Sequence, residues 1–298
     1  MRTLVSLLAL CALTACGRRA HDSPDAFRWE AELEPGTTVH LRTGSGRIDV
    51  TPGSGRFARV TGATHWVGRN DPIHFAWKRE GDELYVCALR SSRGDCDEDS
   101  GSFGDSGHSW LDIFSLFKRR STNAMASFRV ELPSQVKVDA STMNGTISLA
   151  GVTGGISART LNGSIDISHA VGAVEAKSTN GSIDAVIDSL GSDDEVALEG
   201  VNGSMTAVLP PDFEAEVQLS TVNGGIRSDF AVTTEGELSK HRLRGQIGGS
   251  SRELVLKTVN GNVSLLRHPD GETAEEGRRP TPPRPPTPPR PIAPRPRS

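Results

Sequence analysis

Six Asn-Gly dipeptides recur in one setting along the chain, in "STMNGTISL" (141–149), "TLNGSIDI", "STNGSIDAV", "GVNGSMTAV", "TVNGGIRS" and "TVNGNVSL". Each follows an alternating apolar run, and the copies align position for position. Three read Val138-x-Ala140-x-Thr142-x-Asn144-Gly145, Ile156-x-Ala158-x-Thr160-x-Asn162-Gly163 and Val174-x-Ala176-x-Ser178-x-Asn180-Gly181. The others read Val196-x-Leu198-x-Gly200-x-Asn202-Gly203, Val217-x-Leu219-x-Thr221-x-Asn223-Gly224 and Leu254-x-Leu256-x-Thr258-x-Asn260-Gly261. A second alternating run follows each pair, so every unit holds two short strands. The steps between the asparagines are 18, 18, 22, 21 and 37 residues. The last is close to two periods and predicts a degenerate coil around Leu243 to Ile247.

A repeat near 20 residues signals stacking. Asn-Gly between alternating runs is also the strongest hairpin signal, which would give an antiparallel meander. A hairpin has no need to repeat one tripeptide at one phase, whereas a β-solenoid does, because equivalent residues pile into columns about 4.8 Å apart. The pattern therefore predicts an all-β fold, a β-solenoid of two-strand coils with Asn-Gly corners. Period-2 parity then turns each Asn inward with Val138, Ala140 and Thr142, as a column bonding along the stack. Gly after it takes a positive-φ corner. The preceding residues, Met143, Leu161, Thr179, Val201, Val222 and Val259, face outward as a nearly apolar stripe, a candidate binding surface unless covered from within. Thr37 to Val50 reads as a looser first coil with Ser45-Gly46 at the corner.

The stretch "VDASTMNGTISLAGVTGGISARTLNGSIDI" and the closing "GQIGGSSRELVLKTVNGNVSLL" resemble the bacterial putative-adhesin domain family over residues 36–267. That resemblance implies a stacked-β fold. It supplies no catalytic residues.

The two ends differ from the body. Residues 1–15 have Arg2 and an apolar run from Leu4 to Leu13, a secretory signal too short to span a bilayer. Leu13-Thr14-Ala15-Cys16 resembles the lipobox of bacterial lipoproteins, which implies cleavage before Cys16, lipidation there, and a membrane contact through that lipid. Gly17 after the cysteine favours the outer membrane. Residues 16–35 read as a linker. From Pro280 onward the chain holds ten prolines and almost no core former, so 268–298 is expected to stay unfolded and to favour polyproline II. Six arginines from Arg278 to Arg297 make this tail basic, in a chain of net charge −4 whose remainder is therefore acidic.

Export places the remaining cysteines in an oxidising setting, so Cys87 and Cys96 are expected to form a short-loop disulfide. Residues 90–127 read as an insertion. It contains "WLDIFSLFK", whose Trp110, Ile113, Phe114 and Phe117 share one face of a short helix that could cover the stripe.

Catalytic signals are weak. Gly104-Asp105-Ser106-Gly107 has a serine-protease ring, but His108 stands where Gly belongs and no triad context surrounds it. The acids from Asp95 to Asp105 miss the calcium-loop spacing, with Ser100 and Ser106 at key positions. Asp166 and Asp184 fall on one outward column beside Ser148 and Thr206, a pair reminiscent of glycan-cleaving acids. The eight histidines lack metal spacing, and an acidic body argues against nucleic acid. No cofactor or metal is expected. The sequence predicts a non-catalytic lipoprotein scaffold of the cell envelope that binds polysaccharide or a protein partner. The alternatives are an envelope-stress sensing component and a glycan-cleaving enzyme.

Overall fold

The computed structural model describes residues 27–66, 73–89, 96, 124–234 and 239–268. The signal segment, Cys16, the helix expected at 110–118, the Gly104–Gly107 stretch, most of the acidic loop and the proline-rich tail lie outside the described residues. All described regular structure is β, and no described helix is long and apolar enough to cross a membrane.

Each repeat unit contributes one strand to each of two sheets. The first set is β8 (Lys137–Asn144), β10 (Ile156–Asn162), β12 (Val174–Asn180) and β14 (Val196–Asn202). Beyond the corner follow β9 (Ile147–Ala150), β11 (Ile165–Val171), β13 (Ile183–Ser189) and β15 (Met205–Leu209). Both sets pair in parallel without slippage at the repeat positions: Ala140, Ala158, Ala176 and Leu198 are successive partners, and so are Ile147, Ile165, Ile183 and Met205. This is the stack that the 18-residue step requires, and the meander is ruled out. Alternation fixes what lies between the sheets. Val138, Ala140, Ile147, Leu149, Ala158, Ile165 and Ile183 are at most 1% exposed and belong to one continuous core.

Thr37 to Val50 supplies the first coil, β2 (Thr38–Ser45) and β3 (Ile48–Pro52), paired in parallel with β8 and β9. The stack continues beyond it. β5 (His74–Glu80) and β6 (Glu83–Leu89) extend one sheet, with β6 parallel to β2 and β5 antiparallel at the edge. β4 (Phe57–Trp66) and β7 (Ala124–Leu132) extend the other. Residues 27–35 correct the linker reading: β1 (Phe27–Glu32) forms the edge of that second sheet, and Leu33 is 1% exposed. Its physical role is closure. Phe27 stacks on Phe75 at 5.2 Å and Trp29 tilts against Trp77 at 5.7 Å, so the two edge strands seal the gap between the sheets with aromatic rings.

The 37-residue step has a different cause from a hidden coil. After β16 (Ala215–Ser220) and β17 (Ile226–Ser228) the chain makes β18 (Thr233–Thr234) and β19 (Arg242–Ile247). β19 pairs antiparallel to β16, with Leu243 opposite Leu219, and the short β18 pairs antiparallel to β19 at the edge of that sheet. The chain then turns back. β20 (Glu253–Lys257) and β21 (Val263–Arg267) insert as a parallel coil between the β14/β15 coil and the β16/β17 coil. An antiparallel end strand cannot be continued in the same sense, so the remaining coil-forming sequence fills an interior slot. The sheet orders are β18-β19-β16-β20-β14-β12-β10-β8-β2-β6-β5 and β1-β4-β7-β3-β9-β11-β13-β15-β21-β17.

Candidate functional site: the asparagine corner

Parallel register brings the six asparagines into one file. Asn162 donates its side-chain amide to Asn144 Oδ1 at 2.8 Å, Asn180 to Asn162 at 2.8 Å, and Asn202 to Asn180 at 2.8 Å. Asn260 donates to Asn202 and Asn223 to Asn260, both at 2.7 Å. Asn144 closes the series on Ser45 Oγ at 3.4 Å. Every amide points the same way, so each bond polarises the next.

The inward parity of these residues is corrected. All six asparagines are exposed. Pairing passes from Thr142↔Thr160 directly to Asn144↔Asn162, skipping Met143 and Leu161. The chain turns its corner at that skipped residue, and the pleat that carried Thr inward no longer governs Asn.

The glycine reading is corrected in its cause. φ at Gly163, Gly181, Gly203 and Gly261 is 155–159°, close to extended backbone. The demand is space. A Cβ on Gly163 would stand 1.9 Å from the Gly145 carbonyl oxygen, and one on Gly145, Gly181, Gly203, Gly224 or Gly261 would stand 2.0–2.1 Å from the glycine oxygen of the adjoining coil. Successive coils can approach this closely only with no side chain there.

A second file went unrecognised in the sequence. Thr142, Thr160, Ser178, Thr221 and Thr258 are buried, and their hydroxyls donate to glycine carbonyls of the adjoining coil at 2.8–3.3 Å. These carbonyls point at the core, where an unmet acceptor is costly. The signal was present as a hydroxyl two places before each Asn. Gly200 is the exception, and Met205 Cε fills its place, 2.3 Å from where a Cβ would be.

The stripe lies beside the asparagine file. Met143, Leu161 and Val201 are half-buried, Val222 is 61% exposed and Val259 36%. The corner thus presents a row of amides, one per coil, beside a row of side chains that is apolar in every coil but one, where Thr179 precedes Asn180.

Two other groups stand apart from it. On the outward face of the first sheet, His40 shares Asp139 at 2.9 Å and Glu83 between its ring nitrogens and stacks on Tyr85 at 4.3 Å. Arg42 pairs with the same Asp139 carboxylate and donates to its backbone carbonyl at 2.8 Å. Burial works against charge on His40, but the two carboxylates outweigh it and raise its pKa. Burial likewise opposes ionisation of Asp139, yet His40 and Arg42 pull its pKa down to about 2. The cluster ties β2, β6 and β8 together. Its signal was the alignment of Val39 with Val138, which sets His40 beside Asp139. Beside it, Cys87 and Cys96 are disulfide-bonded and buried. On the other sheet Asp166 and Asp184 are neighbours, flanked by Ser148 and Thr206. Partial burial, and then the charge of Asp184, raise the Asp166 pKa.

Residues 134–266, from just before β8 to β21, match the Toastrack DUF4097 family model. Over these residues the chain is similar to the Toastrack DUF4097 family. The Toastrack match begins after β7, so the first coil and its aromatic closure extend the stack beyond it. Two solved structures are similar to the chain at low identity. One, a "putative cell adhesion protein" from Clostridium sporogenes ATCC 15579, has 11% identity and a TM-score of 0.45, covering 82% of this chain and 100% of that one. The other, a "putative adhesin" from Bacteroides fragilis NCTC 9343, has 9% identity and a TM-score of 0.33, covering 82% and 99%. No curated protein matches the sequence.

Proposed function

We propose that this chain is a non-catalytic binding scaffold of the bacterial envelope, held to the outer membrane by lipid on Cys16, with the asparagine corner as its contact surface. The observation that carries the reading is the pairing of two rows at one-strand spacing, exposed amides from Asn144 to Asn223 beside a nearly apolar row from Met143 to Val259 that is half-buried along most of its length and exposed at Val222 and Val259. Amide and apolar groups repeated at a fixed interval fit an extended polymer better than a compact solute, and envelope polysaccharide is the favoured ligand, with a protein partner second. The decisive variants are Val222→Lys and Val259→Lys, whose side chains are exposed enough to leave the core alone. Lost binding to glycan arrays or cell-wall fragments with unchanged melting supports the corner as the contact surface. Unchanged binding removes it from that role. Incorporation of labelled fatty acid by the wild type but not by Cys16→Ser tests the anchor.

Asp166 and Asp184 favour a second reading, glycan cleavage, because two neighbouring carboxyls, one with its pKa raised by partial burial and by the other's charge, are the kind of pair from which a general acid is built. Turnover of a polysaccharide that Asp166→Asn abolishes would establish it.

A further inference from the structure

The six Asn-Gly pairs share a sequence but differ in one hydrogen bond, and we propose that Asn223-Gly224 alone is a site of spontaneous deamidation in the folded protein. The reaction needs the backbone nitrogen of the following glycine. That nitrogen loses its proton and attacks Cγ of the asparagine side chain; the new N–Cγ bond closes a succinimide as the Cγ–Nδ2 bond breaks, and ammonia leaves with the proton. Water then opens the ring at either carbonyl, leaving an aspartyl or isoaspartyl residue at position 223. No oxidant or reductant is involved.

At the other five corners the nucleophile is engaged. Gly145 N–H donates to the Asn162 carbonyl at 2.9 Å, Gly163 to Asn180 at 2.9 Å, and Gly181 to Asn202 at 2.8 Å. Gly203 donates to Asn260 at 2.9 Å and Gly261 to Asn223 at 3.0 Å. Each of these asparagines also accepts a side-chain bond from the next one in the file, which fixes its Cγ. Asn223 ends the file. It donates to Asn260 and no described asparagine donates to it, while Gly224 N–H has no acceptor among the described residues. The Gly224 carbonyl is taken by His241 Nδ1 at 3.1 Å, so the corner is capped at its oxygen and left open at its nitrogen. The neighbouring Val222 is 61% exposed, and β17 beyond the corner is a three-residue edge strand with β21 as its one partner in the sheet. Local opening is least costly at such an end. Conversion removes the donor to Asn260, and the isoaspartyl form adds a backbone atom between β16 and β17, so chemical ageing is confined to one end of the stack.

The test is peptide mapping by mass spectrometry, with isoaspartyl methyltransferase labelling, of the full chain held at growth temperature in mildly alkaline buffer. A matched sample in denaturant should convert at all six pairs. In the folded protein, Asn223 should convert at least about tenfold faster than any other, the factor that about 1.4 kcal/mol of additional opening cost imposes. Equal conversion at the six corners, faster conversion at an internal one, or no conversion at Asn223 while the denatured sample converts there would each overturn the proposal.

Discussion

Thr160 donates its hydroxyl to the carbonyl of Gly145 at 3.2 Å, one coil away, from a side chain 5% exposed. A buried acceptor on one coil is therefore completed by the next, which makes neighbouring coils interdependent. Thr160→Val keeps the shape and removes the donor. It should cost about 1–3 kcal/mol in denaturant unfolding, the range for a buried group left without its partner.

Gly163→Ala should be far more damaging. Its Cβ would lie 1.9 Å from the Gly145 oxygen, backbone against backbone, with no side chain able to yield. A loss above about 3 kcal/mol is expected, within the class of overpacking and strain. Gly225→Ala is the control, since its nearest contact would be 3.8 Å away, and it should change stability by less than about 0.5 kcal/mol.

Asn180→Ala deletes two bonds of the exposed file, the donation to Asn162 and the acceptance from Asn202. Water can replace both, so the cost should fall near about 1–2 kcal/mol, whereas Asn223→Ala deletes one bond and should cost roughly half as much. Equal losses would show that the file contributes nothing beyond each residue's own turn preference.

The His40 cluster sets the pH response. His40 has a raised pKa in the folded chain, so its contribution is full below its unfolded value and is lost as pH rises through the folded one. Asp139, at about 2 folded, contributes above its unfolded value of 3.8 and loses that contribution as pH falls toward 2; the shift corresponds to about 2 kcal/mol. Stability should therefore decline on both sides of a mildly acidic plateau. His40→Gln should flatten the alkaline limb, and Asp139→Asn should reduce the acid one. An unchanged alkaline limb in His40→Gln would assign that slope to other groups.

Reduction of the Cys87–Cys96 bond, which closes a nine-residue separation, should lower stability by about 2–3 kcal/mol on loop entropy. Melting with and without reductant measures it.

The central coils were legible because a fixed step of 18 residues leaves parallel stacking as the economical solution, and the aligned Val, Ala and Thr positions then name the core. The corner was less legible. Parity assumes an unbroken pleat, and the turn at Met143 and Leu161 reverses the facing of Asn without any mark in the pattern. The insertion of β20 between β14 and β16 was hidden for another reason: repeats show which segments are coils, while their spatial order depends on the antiparallel pairing of Leu243 with Leu219 at the far end. His40 and Asp139 lie 99 residues apart and meet only once the first coil is placed beside the second.

The most direct test is a nuclear Overhauser spectrum of protein labelled at asparagine side-chain amides. The stack predicts cross-peaks along Asn144, Asn162, Asn180, Asn202, Asn260 and Asn223 in that order, with Asn260 touching both Asn202 and Asn223. A cross-peak joining Asn202 directly to Asn223, or no amide-to-amide contacts at all, would contradict it.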